Sequence, residues 1–99
     1  MVKLLMSWDI KAGLEAIYFD FIVNEFMPGL LRLDIQPTEA WYTVYGSGPQ
    51  ILTGAVAEDL DTMTSILDSE EWHELQSELL AYVANFEYKI VRDTGRFQL

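Results

Sequence analysis

The chain has 99 residues, a formal net charge of −10 at pH 7 and no cysteine. This length fits one domain covering residues 1–99, and the missing thiols exclude disulfides and thiolate chemistry. The excess of acidic residues argues against nucleic acid or an anionic membrane surface as a partner.

The first part of the chain predicts a strand and a long helix. Residues 2–10 alternate apolar and polar side chains, and a period of two is typical of a strand. A helix is predicted over 11–27, because Pro28 and Gly29 disfavour its continuation. At the helical angle Glu25 falls on the core face of this helix. The other members of that face are Leu14, Ile17, Tyr18, Phe21 and Ile22, and a second apolar strip holds Phe19, Val23 and Phe26.

The middle of the chain predicts a hairpin. Residues 30–37 are interpreted as a connection with the start of an edge strand, since Pro37 is excluded from a central strand. A strand over 39–45 and a second strand over 50–57 consist mostly of good strand formers. The glycine-rich stretch 46–49 between them has the composition of a tight turn.

The last part predicts two helices and a strand. Glu58 and Asp59 begin a short helix, and Asp68 with Ser69 begins a second one that ends at Asn85. Residues 86–90 alternate apolar and charged side chains, which predicts a strand with one buried face. The tail 92–99 ends in apolar residues that we expect to be frayed or docked on a neighbour.

The element order is therefore strand, helix, strand, strand, helix, strand. It predicts an α+β, ferredoxin-like fold: a four-stranded antiparallel sheet with both helices on one face. With 51% hydrophobic residues, one small core cannot hide all the apolar surface, so we expect the bare sheet face to form a homodimer. The side chains that we expect on that bare face are Leu5, Trp41, Tyr45 and Ile51.

The helix start Ser69–Leu75, followed by the strand residues Phe86–Tyr88, resembles the dimeric α/β-barrel superfamily, which includes antibiotic-biosynthesis monooxygenases and stress-responsive barrel proteins. The resemblance extends over nearly the whole chain. It implies that two sheets pair face to face as a barrel, with a pocket between the sheet and the helices of each subunit. Carried onto this sequence, the pocket is lined by Met6, Trp8, Tyr18, Phe21, Tyr42, Trp72 and Tyr88.

Two residues are candidates for catalysis. A carboxylate at Glu25 on a core-facing angle has a raised pKa and can act as a base, whereas an exposed Glu25 reaches water or pairs with Arg32. His73 is the only histidine in the sequence, so any histidine chemistry falls to it. Its carboxylate neighbours match no metal-ligand template, and we predict neither a metal nor a cofactor.

Three functions remain open at this stage. The aromatic side chains can hold a small hydrophobic or aromatic molecule, as implied by the resemblance, or they can simply fill the core. An enzyme of the monooxygenase or cyclase kind is the second function, and a structural or interaction subunit with a solid core is the third. We expect a cytoplasmic protein, because the first apolar run is too short for a signal peptide or a membrane span.

Overall fold

The computed structural model describes residues 1–92. It contains strand β1 (Val2–Ile10), helix α1 (Glu15–Phe21), a π-helical turn (Ile22–Phe26), helix α2 (Met27–Arg32), strands β2 (Gln36–Tyr42) and β3 (Ile51–Ala57), helices α3 (Leu60–Leu67) and α4 (Glu70–Leu80), and strand β4 (Val83–Arg92). The strands form one antiparallel sheet in the order β2-β3-β1-β4, which confirms the predicted α+β fold. The expectation for the apolar chain end lies outside the described residues, and a single domain over 1–99 stays a prediction.

One face of the sheet holds the core. Every second side chain of β1, from Leu4 to Ile10, is between 0% and 8% exposed, because side chains alternate between the two faces of a strand. Buried side chains of β3 and of the helices belong to the same apolar cluster. The helices therefore cover one face, as predicted. Among the described residues no second layer covers the other face, which we call the open face.

The first helix does not stop before Pro28, so that prediction is wrong. The backbone stays helical from Glu15 through the π turn and α2 to Arg32. A π turn has i→i+5 hydrogen bonds and is wider than an α-helical turn. Pro28 follows it as the second residue of α2, and the wider turn leaves room for the proline ring, which in a regular helix clashes with the carbonyl group four residues back. The widened turn thus lets the proline continue the helix.

The same turn changes which side chains reach the core. In a regular helix the core face of Tyr18 and Phe21 continues at Glu25, but one extra residue in the turn moves Phe26 there instead. Phe26 is 1% exposed, whereas Glu25 is exposed. The predicted core position of Glu25 is therefore wrong, and Ile17, on the first turn of α1, is also exposed.

The β2–β3 hairpin is present, with β2 displaced toward the N-terminus. β2 lies at the sheet edge, where Pro37 is tolerated. Leu5 and Trp41 lie on the open face, as predicted. Ile51 pairs with the buried side of β1 and is 7% exposed, while Tyr45 lies in the loop after β2, so both were placed wrongly. The pairing register puts Leu52 on the open face instead.

Gly54, in the middle of β3, lets side chains from both neighbouring strands meet above it. Lys3 Nζ of β1 lies 2.7 Å from the Glu39 carboxylate of β2. A Cβ atom at Gly54 would lie 2.7 Å from that same carboxylate oxygen. The absence of a side chain at this position therefore allows the ion pair to cross β3.

Helices α3 and α4 begin at the predicted caps. The Asp59 carboxylate accepts a hydrogen bond from the Thr62 amide, and the Ser69 hydroxyl accepts one from the Trp72 amide. Such caps satisfy N–H groups that lack a partner in the first helical turn. Among residues 1–92, no helix is long and apolar enough to cross a membrane.

Asn85 lies inside β4, so the prediction that it ends helix α4 is wrong. The register of β4 against β1 shifts by one residue between Ser7 and Asp9, and Asn85 has a φ of +57°. A bulge places an extra residue in one strand, and asparagine adopts the left-handed conformation more readily than most side chains. The helix ends earlier, at Leu80.

Asp9 connects the bulge to the β2–β3 hairpin. Its carboxylate accepts hydrogen bonds from Asn85 Nδ2 at 2.9 Å and from the Gln50 amide at 2.8 Å. The bond from Asn85, followed by that from Gln50, lowers the pKa of Asp9 below its usual range. The bonds that Asp59 accepts from Thr62 lower the pKa of Asp59 in the same way.

We expect Asp9 and Asp59 to make the fold sensitive to acid. A carboxyl group with a lowered folded-state pKa contributes its stabilisation above its unfolded pKa of about 3.9, and this is lost as pH falls through the folded pKa. Urea unfolding midpoints measured between neutral pH and about pH 2 should therefore fall less steeply in Asp9→Asn and Asp59→Asn than in the wild type. Ser77→Ala, an exposed substitution on α4 that removes no carboxyl group, should keep the wild-type slope, and identical slopes in all four proteins would contradict the prediction.

Candidate functional site

Five of the seven side chains predicted to line a pocket lie together in the core between sheet and helices. They are at most 6% exposed and belong to one continuous apolar cluster. The structure therefore brings them together as packed side chains. These five are Met6, Trp8, Tyr18, Phe21 and Trp72.

A hydrogen bond joins the side chains of Trp8 and Tyr18 in the core. The Trp8 Nε1–H group donates a hydrogen bond to the Tyr18 hydroxyl at 2.8 Å. The Trp8 ring also packs edge-on against Phe26 and stacks on Phe86, with ring centroids 5.9 Å apart in both pairs. Burial raises the pKa of Tyr18, and the bond from Trp8 opposes this with a smaller effect. The Trp8 donor is thus already occupied within the core.

Trp72 differs from Trp8 in its hydrogen bonding. Its side chain is 0% exposed, and its Nε1–H group has no hydrogen-bond partner among residues 1–92. Its ring packs edge-on against Tyr88 of β4, with centroids 6.4 Å apart, and Tyr88 is 47% exposed. A buried donor without an acceptor is uncommon in folded proteins. Trp72 therefore combines full burial, a free donor and contact with a residue that reaches solvent.

Tyr42, the last predicted pocket residue, lies apart from this group. It ends the edge strand β2, is 49% exposed and accepts a hydrogen bond from Gln50 Nε2 at 3.0 Å. It is not part of the core cluster. Of the predicted pocket, the pair formed by Trp72 and Tyr88 is the part that extends from the core to the surface.

None of the four main depressions of the described surface is lined by Trp8 or Trp72, although Met6 and Tyr88 line one of them and Phe21 lines another. One of them, of about 340 Å³, lies on the open face. This volume is at the lower end of the range of small-molecule sites. Its lining includes Leu5, Ser7, Pro49, Leu52, Glu87 and Lys89.

Glu25 lies in a groove between the first helical segment, which runs from Glu15 to Arg32, and helix α4. Glu25, Arg32 and three glutamates of α4 line this groove, also of about 340 Å³. No ion pair within 4.0 Å joins Glu25 to Arg32 in the part of the chain that the structure describes. Because Glu25 is exposed, the burial on which its predicted role as a base depends is missing.

His73 lies on the outer surface of α4. It is exposed and lines a shallow depression with Glu70, Glu74 and Glu78. Within residues 1–92, no group of three or more histidine, cysteine or acidic residues is arranged to hold a metal ion. The catalytic roles considered for His73 and Glu25 remain hypotheses without a supporting contact.

Sequence reasoning did not find the open-face depression or the role of Gln50. The depression needs the register that pairs Leu5 with Gly54 and Ser7 with Leu52. The alternation of β1 already separates Leu5 and Ser7 from the buried positions, and this signal could have located one wall. The side of the depression formed by β3 and β4 depends on strand pairings between residues that are far apart in the sequence.

No known family model matches the sequence, and no curated protein matches it significantly. Solved structures do match. An uncharacterised NIPSNAP domain protein from Burkholderia xenovorans is 11% identical, with a TM-score of 0.73 and 99% of each chain covered. A candidate antibiotic biosynthesis monooxygenase from Deinococcus radiodurans is 13% identical, with a TM-score of 0.71 and coverage of 100% of this chain and 98% of that one.

A third match is a dimeric protein of unknown function and ferredoxin-like fold from Bacteroides fragilis. It is 12% identical, with a TM-score of 0.62 and coverage of 93% of this chain and 95% of that one. Identities at this level establish the fold alone. The chain is therefore a ferredoxin-like α+β protein whose fold is that of NIPSNAP and monooxygenase-like proteins, and the resemblance inferred from the sequence is confirmed at this level.

Proposed function

We propose that the protein is a homodimer of the α/β-barrel type that binds a small, flat, largely apolar molecule beside Trp72, between sheet and helices. The bound molecule carries one acceptor oxygen. The observation that supports this proposal best is the fully buried Trp72 Nε1–H group without an acceptor among residues 1–92.

The energetic argument concerns this donor. An indole N–H can only donate, so its hydrogen bond requires an acceptor atom from elsewhere. Leaving a buried donor unpaired costs about 1–3 kcal/mol, which an acceptor on a bound molecule recovers. Apolar and aromatic side chains surround Trp72, which favours a flat apolar molecule with few polar atoms.

Access to Trp72 leads past Tyr88. Tyr88 packs edge-on against the Trp72 ring and is half-exposed, so this pair of rings extends from the buried indole to the surface. Rotation of an exposed aromatic side chain is fast compared with ligand binding. We propose that Tyr88 moves aside to admit the molecule and then packs against it.

The proposed dimer follows from the open face. Trp41 is 55% and Leu52 is 38% exposed there, and Leu5 is half-buried beside them. A contiguous apolar patch on a sheet is typical of an interface. The Bacteroides fragilis structure with the same fold is described as dimeric, which adds support.

A second candidate function is a structural or interaction subunit with a solid core. The hydrogen bond between Trp8 and Tyr18 and the packing of Phe26 and Phe86 on Trp8 favour it, because this part of the core is filled and internally satisfied. In this case a single buried water beside Trp72 accepts its hydrogen bond.

A pair of matched compounds tests the proposed site. α-Tetralone and tetralin share a bicyclic skeleton, and only the ketone has an acceptor. We expect the wild type to bind α-tetralone about 2- to 13-fold more tightly, since one hydrogen bond contributes about 0.5–1.5 kcal/mol. Trp72→Phe keeps an aromatic ring and lacks the donor, so the preference should vanish. Isothermal titration calorimetry measures both affinities.

Tyr42→Phe is the control variant, because it also removes one polar atom from a predicted pocket residue, but at a distance from Trp72. It should retain the wild-type preference for the ketone. Circular dichroism verifies that each variant is folded. If neither compound binds the wild type, or if Trp72→Phe keeps the preference, the proposed site is wrong and the solid subunit is favoured.

A further inference from the structure

The loop between β2 and β3 forms an arm of residues 43–49 whose apolar side chains contact little of their own chain. Val44 is 88% exposed and Tyr45 is 97% exposed. Neighbouring apolar side chains at such exposure can mark a surface that a partner covers. The arm therefore presents a valine and a tyrosine that the described part of the chain leaves uncovered.

The charge distribution favours a second copy as the partner. No charged residue occurs between Glu39 and Glu58, although the chain as a whole has a net charge of −10. Two copies repel each other wherever their acidic surfaces meet. The uncharged hairpin can approach another copy with little repulsion, whereas an arm built to hold a basic partner would carry acidic side chains.

The arm also has sufficient reach. Thr43 donates its amide to the Gln50 carbonyl at 2.8 Å, which leaves six residues beyond the last paired position, about three on each side. At 3.3 Å per residue this gives a reach of about 10 Å, the usual spacing between two packed sheets. Pro49, at the end of the arm, lines the open-face depression, so the arm ends beside that face.

The base of the arm is held in place by side-chain hydrogen bonds. The Gln50 backbone N–H group donates a hydrogen bond to the Asp9 carboxylate, and the Gln50 side-chain oxygen Oε1 accepts one from the Ile10 backbone N–H group at 2.7 Å. Thr43 Oγ1 donates to the Pro49 carbonyl at 2.9 Å across the arm. A segment ordered in this way loses less conformational entropy when it binds.

We propose that in the homodimer the arm of each copy closes the open-face depression of the other, with Tyr45 entering between Leu5, Ser7 and Leu52. This inference rests on the proposed dimer and adds that each depression is incomplete without the partner. The ring packs on the two leucines, and the rim residues Glu87 and Lys89 offer polar partners for the tyrosine hydroxyl.

Because the natural chain has no cysteine, single-cysteine variants give an unambiguous test. Tyr45→Cys is mixed with Ser7→Cys carrying a fusion tag, and a short bismaleimide is added to the refolded mixture. We expect a cross-linked species with the summed mass of one untagged and one tagged chain. The control pairs Tyr45→Cys with tagged Ile17→Cys, on the exposed side of α1, and should give no such species.

Sedimentation equilibrium of the unmodified protein separates the outcomes. A dimer that gives the Tyr45–Ser7 cross-link and no Tyr45–Ile17 cross-link supports the inference. A dimer without the Tyr45–Ser7 cross-link, or with both cross-links at equal yield, overturns the arm and leaves the proposed dimer intact. A monomer at micromolar concentration overturns both.

Discussion

Replacing Phe26 with alanine is expected to lower the free energy of unfolding by about 3–5 kcal/mol, as is usual when a buried aromatic ring is removed. The Phe26 ring is 1% exposed and packs edge-on against Trp8 at 5.9 Å. Its loss leaves a cavity at the centre of the core, between the π turn and the sheet. Urea denaturation at neutral pH measures the change.

The neighbouring substitution Glu25→Ala is the matched control. A regular α-helix places Glu25 at the core, whereas the π turn places Phe26 there. Because Glu25 is exposed, its replacement should change stability by no more than about 0.5 kcal/mol. Comparable losses for the two variants, or a larger loss for Glu25→Ala, would show that the helix keeps its regular phase and that the described turn is wrong.

Replacing Leu52 with glutamate is expected to convert the proposed dimer into monomers. Leu52 lies on the open face of β3 and is 38% exposed. In a two-fold interface each substitution appears twice, and like charges at an interface cost several kcal/mol. We expect the dimer Kd to rise at least about 30-fold, roughly 2 kcal/mol, in sedimentation equilibrium.

Leu60→Glu provides the comparison, since it makes the same change at a leucine that is 52% exposed but lies at the start of α3. There a negative charge is favourable to the helix, and the open face is untouched. Leu60→Glu should keep the wild-type Kd. If both variants dissociate equally, the interface is not the open face, and if the wild type is monomeric the proposed dimer is refuted.

The sequence predicted the order of elements because its local signals are strong. The alternation in β1 and the cap residues Asp59 and Ser69 depend on neighbours within a few residues, and the structure agrees with them. The π turn has no comparable signal. Pro28 indicates a helix stop by its local chemistry, and only the packing of Phe26 into the core reverses that expectation.

The site was predicted less well, for a physical reason. Residue type and spacing identified the aromatic side chains that share the core, but they could not show that Trp8 is hydrogen-bonded to Tyr18 while Trp72 has no hydrogen-bond partner among residues 1–92. The hydrogen bond depends on how the Trp8 and Tyr18 rings are oriented toward each other, which residue spacing does not determine. The position of Gln50 likewise depends on its contact with Asp9, which lies 41 positions away in the sequence.

The edge strand β2 has a consequence for polymerisation. Strands of other molecules can extend a sheet only where a row of backbone groups is regular and unpaired. Pro37 has no N–H group to donate, and the register of β2 shifts between Pro37 and Glu39, so this edge is a poor template. The bulge at Asn85 interrupts β4 in a similar way, so neither edge of the sheet offers a long regular row of backbone groups for another molecule to extend.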